Sequence, residues 1–164
     1  MTDSVLAAIE GLDAEVVPCD PELADTAAFC EAYGYAPEDS ANAILVIGKG
    51  RKPEDPRPLV CCLVLASTRL DVNGAVRKRL GTRKASFADA AATIERSGGM
   101  EIGGVTPFGL PDNIPIWIDA AVMTRDRVIV GGGGRDRKIL CSPASIAGLT
   151  SAEVIDDLAR PIEA

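Results

Sequence analysis

The fold can be predicted from one stretch of the sequence, Gly98-Gly99-Met100-Glu101-Ile102-Gly103-Gly104-Val105-Thr106-Pro107-Phe108-Gly109-Leu110-Pro111. It holds five glycines, two prolines and one phenylalanine between a helix-like segment (86–97) and a strand-like one (114–118). Glycine permits positive φ and lets a ligand approach main-chain N–H groups, whereas proline limits how far a loop can flex. The composition predicts a tightly folded loop with exposed backbone. An ordinary connecting loop has the same composition, so both interpretations stay open.

A second glycine run, 131–134, follows the β-branched segment 128–130 and precedes Arg135, Asp136, Arg137 and Lys138. Two loops of exposed backbone in one small domain predict the two walls of one pocket. We expect Gly104 and Gly132 to face each other across it.

At these loops the chain resembles the YbaK and prolyl-tRNA editing (ProRS-associated INS) family. Residues 103–109 match its GGxxPxG loop, and the segments 81–88, 115–119 and 142–144 continue the match in order over nearly the whole chain. Such proteins are free-standing or synthetase-attached domains that hydrolyse wrongly aminoacylated tRNA. The resemblance implies an aminoacyl-tRNA deacylase whose partners are the acceptor end of an aminoacyl-tRNA and an aminoacyl-tRNA synthetase.

The predicted fold class is α+β. Several strands occur without regular βαβ alternation, which favours a mixed sheet over a doubly wound one. A chain of 164 residues with 47% hydrophobic content is large enough for one core, so we expect one domain over 1–164. The family's fold, a twisted mixed sheet that is partly barrel-like and surrounded by helices, agrees with this pattern.

The apolar patterns and cap residues predict individual elements. Helices are expected at 4–9, 20–33, 71–80, 86–96, from 142 onward, and at 150–159. Strands are expected at 15–18, 41–48, 59–66, 114–118, 121–123, 127–130 and 138–141.

The composition narrows the chemistry. The chain has no histidine, which excludes Ser-His-Asp and Cys-His catalysis and HExxH zinc sites. Five cysteines without a CxxC pair fit neither a disulfide framework nor a four-cysteine zinc site, so we expect no metal and no cofactor. Catalysis would have to use carboxylates, lysines, hydroxyls, backbone dipoles or groups of the substrate.

Charge is unevenly distributed along the chain. Residues 1–48 carry a formal charge of −10, residues 49–84 carry +7, and residues 85–164 carry −4. The overall acidity argues against non-specific nucleic-acid binding, but the basic middle third could face phosphates locally. Ordinary solvated faces are the alternative. No apolar run is long enough for a membrane span and the N-terminus lacks a basic region, so a cytoplasmic location without membrane contact is expected.

The resemblance also implies a set of site residues. Gly103, Gly104 and Gly109 would shape a cradle for the aminoacyl carbonyl and the terminal adenosine, with the substrate's own ribose hydroxyl or thiol assisting the attack. The remaining substrate-binding residues would be Thr106, Pro107, Phe108, Asp119, Gly131, Gly132, Gly133 and Gly134. Phe108 would pack beneath the cradle or against the adenine, and Asp119 would order the loops by hydrogen bonds. Gly104 is expected to be exposed, so that alanine there would affect ligand binding more than folding.

One position departs from the family pattern. A lysine usual in the family aligns with Asn42, whose amide can donate a hydrogen bond but carries no charge. We include Asn42 with Gly103 and Gly104 as catalytic residues. Besides the deacylase, two function classes stay open: a catalytically silent binding protein on the same fold, and a nucleotide-binding domain that uses the glycine runs. The latter lacks both the GxxxxGK[ST] and the GxGxxG motif.

Overall fold

The computed structural model describes residues 3–55, 57–101 and 103–162. Within these residues the α-helices are α1 Ser4–Ile9, α2 Thr26–Tyr33, α3 Arg77–Leu80, α4 Ala90–Ser97 and α5 Pro143–Ala147. The strands are β1 Ala14–Pro18, β2 Ala41–Lys49, β3 Leu59–Leu65, β4 Thr68–Leu70, β5 Lys84–Phe87, β6 Ile116–Asp119, β7 Val128–Gly131, β8 Arg137–Cys141, β9 Ala152–Ile155 and β10 Ala159–Pro161. None of the described helices is long and apolar enough to cross a bilayer.

The strands form a mixed sheet and two smaller antiparallel ones. The five-stranded sheet has the order β5-β2-β3-β6-β9, with antiparallel pairing on both sides of β2 and parallel pairing on both sides of β6. The others have the orders β1-β8-β7 and β10-β4. A bridge between Ser40 and Ile129 joins the start of β2 to β7, so that the sheets curl toward one another. The predicted α+β class with a mixed, partly barrel-like sheet is confirmed.

Strand β3 lies at the centre of the core, and all seven of its residues are buried. Leu59, Cys61, Leu63 and Leu65 pack in the larger apolar cluster, and the alternate residues between them pack in a second cluster on the other face. Burial on both faces explains why this segment is apolar without alternation. Burial also raises the pKa of the Cys61 thiol to about 12, which suits a core residue rather than a nucleophile.

Several predicted helix boundaries are confirmed and others are wrong. The expected helix 20–33 is interrupted: Asp20 caps a 3₁₀ turn at Pro21–Leu23, and α2 then ends at Gly34 with a φ of 77°. The helix expected at 71–80 begins as a π-helical turn, Val72–Val76, before α3.

The helix expected from 86 begins only after Asp89, whose carboxylate accepts a hydrogen bond from the Ala92 N–H at 2.7 Å. Ser86 and Phe87 instead pair with β2, because this pairing satisfies main-chain hydrogen-bonding groups along the outer edge of that strand. The capping-box spacing from Ser86 therefore gave a start three residues too early.

The last predicted helix, 150–159, is also wrong. Ala152–Ile155 forms β9, which pairs in parallel with β6, and Ala159–Pro161 forms β10, which pairs with β4. Pairing with an open sheet edge outweighed the local capping pattern. The segment expected as a strand at 121–123 lies in a 3₁₀ turn, Ala120–Thr124, directly after β6.

Candidate active site

A cavity of about 250 Å³ opens between the start of α2, the first half of β2 and the glycine loops. It is lined by Ala24, Asp25, Thr26, Phe29, residues 40–45, Phe87, Ala88, Thr93, Gly103, Val105, residues 129–131 and Lys138. Segments far apart in the sequence therefore meet at one concave surface, which is the usual form of a small-molecule site.

Lys138 brings a buried positive charge to this cavity. The residue is only 6% exposed, and its Nζ donates hydrogen bonds to the Ala24 carbonyl at 2.6 Å and to the Gly103 carbonyl at 3.3 Å. The ammonium also lies 5.4 Å from the centre of the Phe29 ring, within the range of a cation–π contact. Burial lowers the pKa of Lys138 below its ordinary value of 10.5, because removal from water disfavours the charged form.

The fold makes room for this side chain by pairing it with a glycine. In the β7–β8 ladder, Lys138 lies opposite Gly131, which has no side chain to fill the space. Sequence reasoning missed Lys138 as a site residue, since it was one of four charged residues after the glycine run. The available signal was a lysine at the start of an otherwise apolar strand, where an exposed position was the simpler assumption.

Asn42 lines the same cavity. It is half-buried on β2, and the Thr26 hydroxyl donates a hydrogen bond to its Oδ1 at 2.5 Å. With the oxygen engaged in this way, the Asn42 amide nitrogen is the group that can donate to a ligand. The structure thus places Asn42 and Lys138 at one cavity, Asn42 from β2 and Lys138 from β8.

The expectation that the two glycine loops face each other across the pocket is wrong. They lie side by side, with the Gly133 N–H donating to the Gly104 carbonyl at 2.6 Å. A β-carbon on Gly131 would run into the Val105 carbonyl oxygen. The loops therefore lie on one side of the cavity, and β2, the start of α2, the segment around Phe87 and Lys138 supply the rest of its lining.

Within the first of these loops, two neighbouring glycines have different positions. Gly103 lines the cavity with a φ of 86° and accepts the Lys138 hydrogen bond. Gly104 is buried, and a β-carbon there would lie 2.7 Å from the Gly134 carbonyl oxygen. The expected exposure of Gly104 is therefore wrong, because the second glycine loop covers it.

A sequence model described as an aminoacyl-tRNA editing domain matches residues 20–149. The chain belongs to the aminoacyl-tRNA editing domain family. The resemblance read from the glycine loops is thereby confirmed.

Solved structures show the same fold for this editing domain. The hypothetical protein APE2540 superposes with a TM-score of 0.83 at 21% identity, covering 96% of this chain and all of the other. A proposed trans-editing enzyme for prolyl tRNA synthetase superposes with a TM-score of 0.78 at 21% identity, covering 99% of each chain.

The part of the editing domain's GGxxPxG loop beyond Gly104 anchors the loop to the core. Thr106 and Phe108 are fully buried, and Phe108 packs in the larger apolar cluster. Pro107 and Gly109 line a separate, smaller cavity of about 160 Å³. A β-carbon on Gly109 would lie 2.7 Å from the Ser4 carbonyl oxygen, so this glycine permits close packing against α1. Phe108 was expected either to pack beneath the cradle or to contact the adenine, and its burial in the core supports the packing role.

Asp119 orders a different segment from the one expected. Its Oδ1 accepts hydrogen bonds from the Leu158 N–H at 3.0 Å and the Ala159 N–H at 3.3 Å, so it holds the C-terminal segment rather than the glycine loops. Burial raises the pKa of the Asp119 carboxyl above its ordinary value, and these two hydrogen bonds oppose that rise.

Gly132 and Gly134, the remaining glycines of the second loop, do not line the cavity and make contacts within and next to the loop. The Gly132 carbonyl accepts a hydrogen bond from Arg137 Nε at 2.7 Å, and Gly134 lies beside Glu101, whose carboxylate accepts from the Arg135 N–H at 2.8 Å. Of the predicted site residues, Asn42, Gly103 and Gly131 meet at the cavity, and Lys138 joins them.

Proposed function

We propose that this protein hydrolyses the ester bond of mischarged tRNA, with the aminoacyl group held in the cavity that Asn42, Gly103, Gly131 and Lys138 line. Membership of the aminoacyl-tRNA editing family supports editing in general. The observation that carries the finer proposal is the buried Lys138 ammonium at a cavity that is also lined by glycine backbone.

Attack on an ester develops negative charge on the carbonyl oxygen. A fixed positive charge that is itself shielded from water, as Lys138 is, stabilises that charge more strongly than one in bulk solvent would. Lys138 has three N–H donors, and the carbonyls of Ala24 and Gly103 accept from two of them. In this proposal the third donates to the substrate oxygen, and the Asn42 amide adds a neutral donor from β2.

The chain has no histidine to serve as a base. We therefore propose that the ribose hydroxyl beside the ester assists the attacking water, whose oxygen forms the new bond to the carbonyl carbon. The ester C–O bond then breaks, and the ribose oxygen leaves with a proton. The protein's contribution is to hold the reacting groups in place and to supply oriented charge.

The second candidate function is a binding protein that does not hydrolyse its ligand. It is favoured by one observation, the neutral Asn42 in place of the family lysine. In either case the proposed partner is the acceptor end of an aminoacyl-tRNA, with an aminoacyl-tRNA synthetase as the source of the mischarged substrate.

A deacylation assay separates the two functions. Purified protein is incubated with a panel of mischarged tRNAs, and loss of the labelled amino acid is measured beside a Lys138→Met variant. Hydrolysis of at least one tRNA by the wild type, and its loss in the variant, supports the enzyme. Binding of aminoacyl-tRNA without hydrolysis across the panel would replace it by the binding protein.

A further inference from the structure

Phe87 stands at the rim of the cavity and faces solvent. At 61% exposure it is the most exposed large apolar side chain among the residues that the structure describes. It ends β5, the edge strand of the five-stranded sheet, and contributes to the cavity lining. A single exposed apolar residue is common on protein surfaces, so exposure alone assigns Phe87 no role.

The other end of the same strand carries a concentration of positive charge. Six exposed cations line a groove formed by the turn after β2 and the start of β5, and we refer to it as the basic groove: Lys49, Arg51, Lys52, Arg57, Arg83 and Lys84. Across residues 3–55, 57–101 and 103–162, none of these six side chains forms an ion pair. Asp55, in the same turn, accepts a hydrogen bond from the Lys52 main-chain N–H at 3.0 Å.

The sheet register places two of these cations against each other. Lys49 and Lys84 are direct cross-strand partners in the β2–β5 pair, and the Arg83 N–H donates to the Lys49 carbonyl at 3.1 Å. Like charges directly opposite each other destabilise a sheet. An anionic ligand in the groove would relieve that repulsion.

The basic groove and the exposed aromatic ring lie along one short strand. Lys84 and Phe87 are three residues apart on β5, which corresponds to about 10 Å along an extended strand, and their side chains point to opposite faces of this edge strand. Along the edge strand, the order from groove to cavity is therefore a set of cations, then a flat apolar ring, then the site proposed for the ester. Single-stranded RNA presents the matching groups, since its phosphates are anionic and its unstacked bases stack on aromatic side chains.

We propose that Phe87 and the basic groove bind the single-stranded 3′ end of the tRNA, with Phe87 stacking on a base and the groove contacting phosphates. This inference rests on the proposed function, because it assumes that the cavity receives the aminoacyl end. An acidic polypeptide could neutralise the groove equally well, but it has no bases to stack on Phe87.

The test measures binding of uncharged tRNA by fluorescence anisotropy, so that no ester needs to be hydrolysed. Phe87→Ala is expected to weaken binding by about 5- to 150-fold, the range for loss of one base–aromatic stack. Phe87→Tyr keeps a flat ring and should bind within about threefold of the wild type. Thermal melts of both variants are expected to match the wild type, since the ring is mostly exposed.

The double variant Lys49→Gln/Lys84→Gln tests the groove. It should weaken binding and reduce the slope of log K against log salt concentration by about 1 to 2, as expected for the loss of two phosphate contacts. The matched control is Arg69→Gln/Arg160→Gln, which removes the same charge from another cross-strand basic pair, on β4 and β10. That control should leave the salt slope unchanged.

The outcomes separate this inference from the proposed function. If the wild type hydrolyses mischarged tRNA but Phe87→Ala and Lys49→Gln/Lys84→Gln bind tRNA as it does, the RNA surface is wrong and the proposed function stands. If the variants lose tRNA binding as expected while no mischarged tRNA is hydrolysed, the RNA surface is supported and the proposed function fails. Equal loss of affinity in the control pair, or displacement of tRNA by poly-glutamate at equal charge concentration, would overturn the assignment to RNA.

Discussion

Replacing Lys138 by methionine should nearly abolish hydrolysis while leaving the protein folded. Methionine fills much of the same volume but cannot donate to the Ala24 and Gly103 carbonyls, which accept from Lys138 at 2.6 and 3.3 Å. Loss of an oriented donor to a developing oxyanion typically costs about 100- to 1,000-fold in kcat, or about 3–4 kcal/mol. We expect a loss of this size for single-turnover deacylation.

Lys138→Met should also lower the stability of the fold, by less than the loss of two buried hydrogen bonds alone would cost. Two carbonyls lose a donor, which costs about 1–3 kcal/mol for each group that stays buried. Removing the buried ammonium also removes its desolvation cost, which offsets part of that loss. Chemical denaturation measures the stability change in the same variant.

A charge exchange tests whether the positive charge acts at the cavity itself. Lys138→Asn should lose activity as Lys138→Met does, and adding Asn42→Lys should restore at least tenfold of it, because both positions line the cavity. Asn42→Lys alone should give no gain, since two ammonium groups would then share the cavity. A folded Lys138→Met protein with activity within threefold of the wild type would show that the Lys138 ammonium does not take part in hydrolysis.

Gly104→Ala should destabilise the fold by about 1–3 kcal/mol or more, because its β-carbon would lie 2.7 Å from the Gly134 carbonyl oxygen. The control Gly148→Ala, whose β-carbon stays at least 3.4 Å from its neighbours, should change stability by less than about 0.5 kcal/mol. Urea denaturation measures both changes. Asp119→Ala should cost about 2 kcal/mol of stability and Asp119→Asn less, since asparagine keeps an acceptor oxygen for the C-terminal segment, and neither should change kcat in protein that remains folded. Because the pKa of Lys138 is lowered in the folded protein, the folded protein binds fewer protons than the unfolded chain between that pKa and 10.5. In this pH range Lys138 therefore makes the free energy of unfolding rise with pH. Denaturation curves of Lys138→Met measured across the same range should lack that rise.

Elements with a strong local pattern were predictable from the sequence. The helix at Ser4–Ile9 and the apolar strands β2 and β3 follow from their composition, and the αL glycine at position 34 ends α2 as expected. The C-terminal strands were not predictable in this way, because β9 and β10 exist only through pairing with β6 and β4, which are distant in the sequence.

The candidate site was predictable in part. The composition predicted that the two glycine-rich segments form loops with accessible main chain. It could not show that these loops pack on each other through the hydrogen bond from the Gly133 N–H to the Gly104 carbonyl. Phe108 and Asp119 have side chains that suit either a site or a core, and only tertiary packing separates these roles. Lys138 was missed because its burial depends on the facing Gly131 and on carbonyls from two other segments.

Whether this protein is a deacylase that depends on Lys138 is decided by the rate at which the wild type deacylates a panel of mischarged tRNAs, measured beside Lys138→Met. We expect at least one tRNA to be deacylated well above its spontaneous rate, and Lys138→Met to lower this rate by about 100-fold or more. A wild-type protein that binds these tRNAs but deacylates none of them above the spontaneous rate would contradict this expectation.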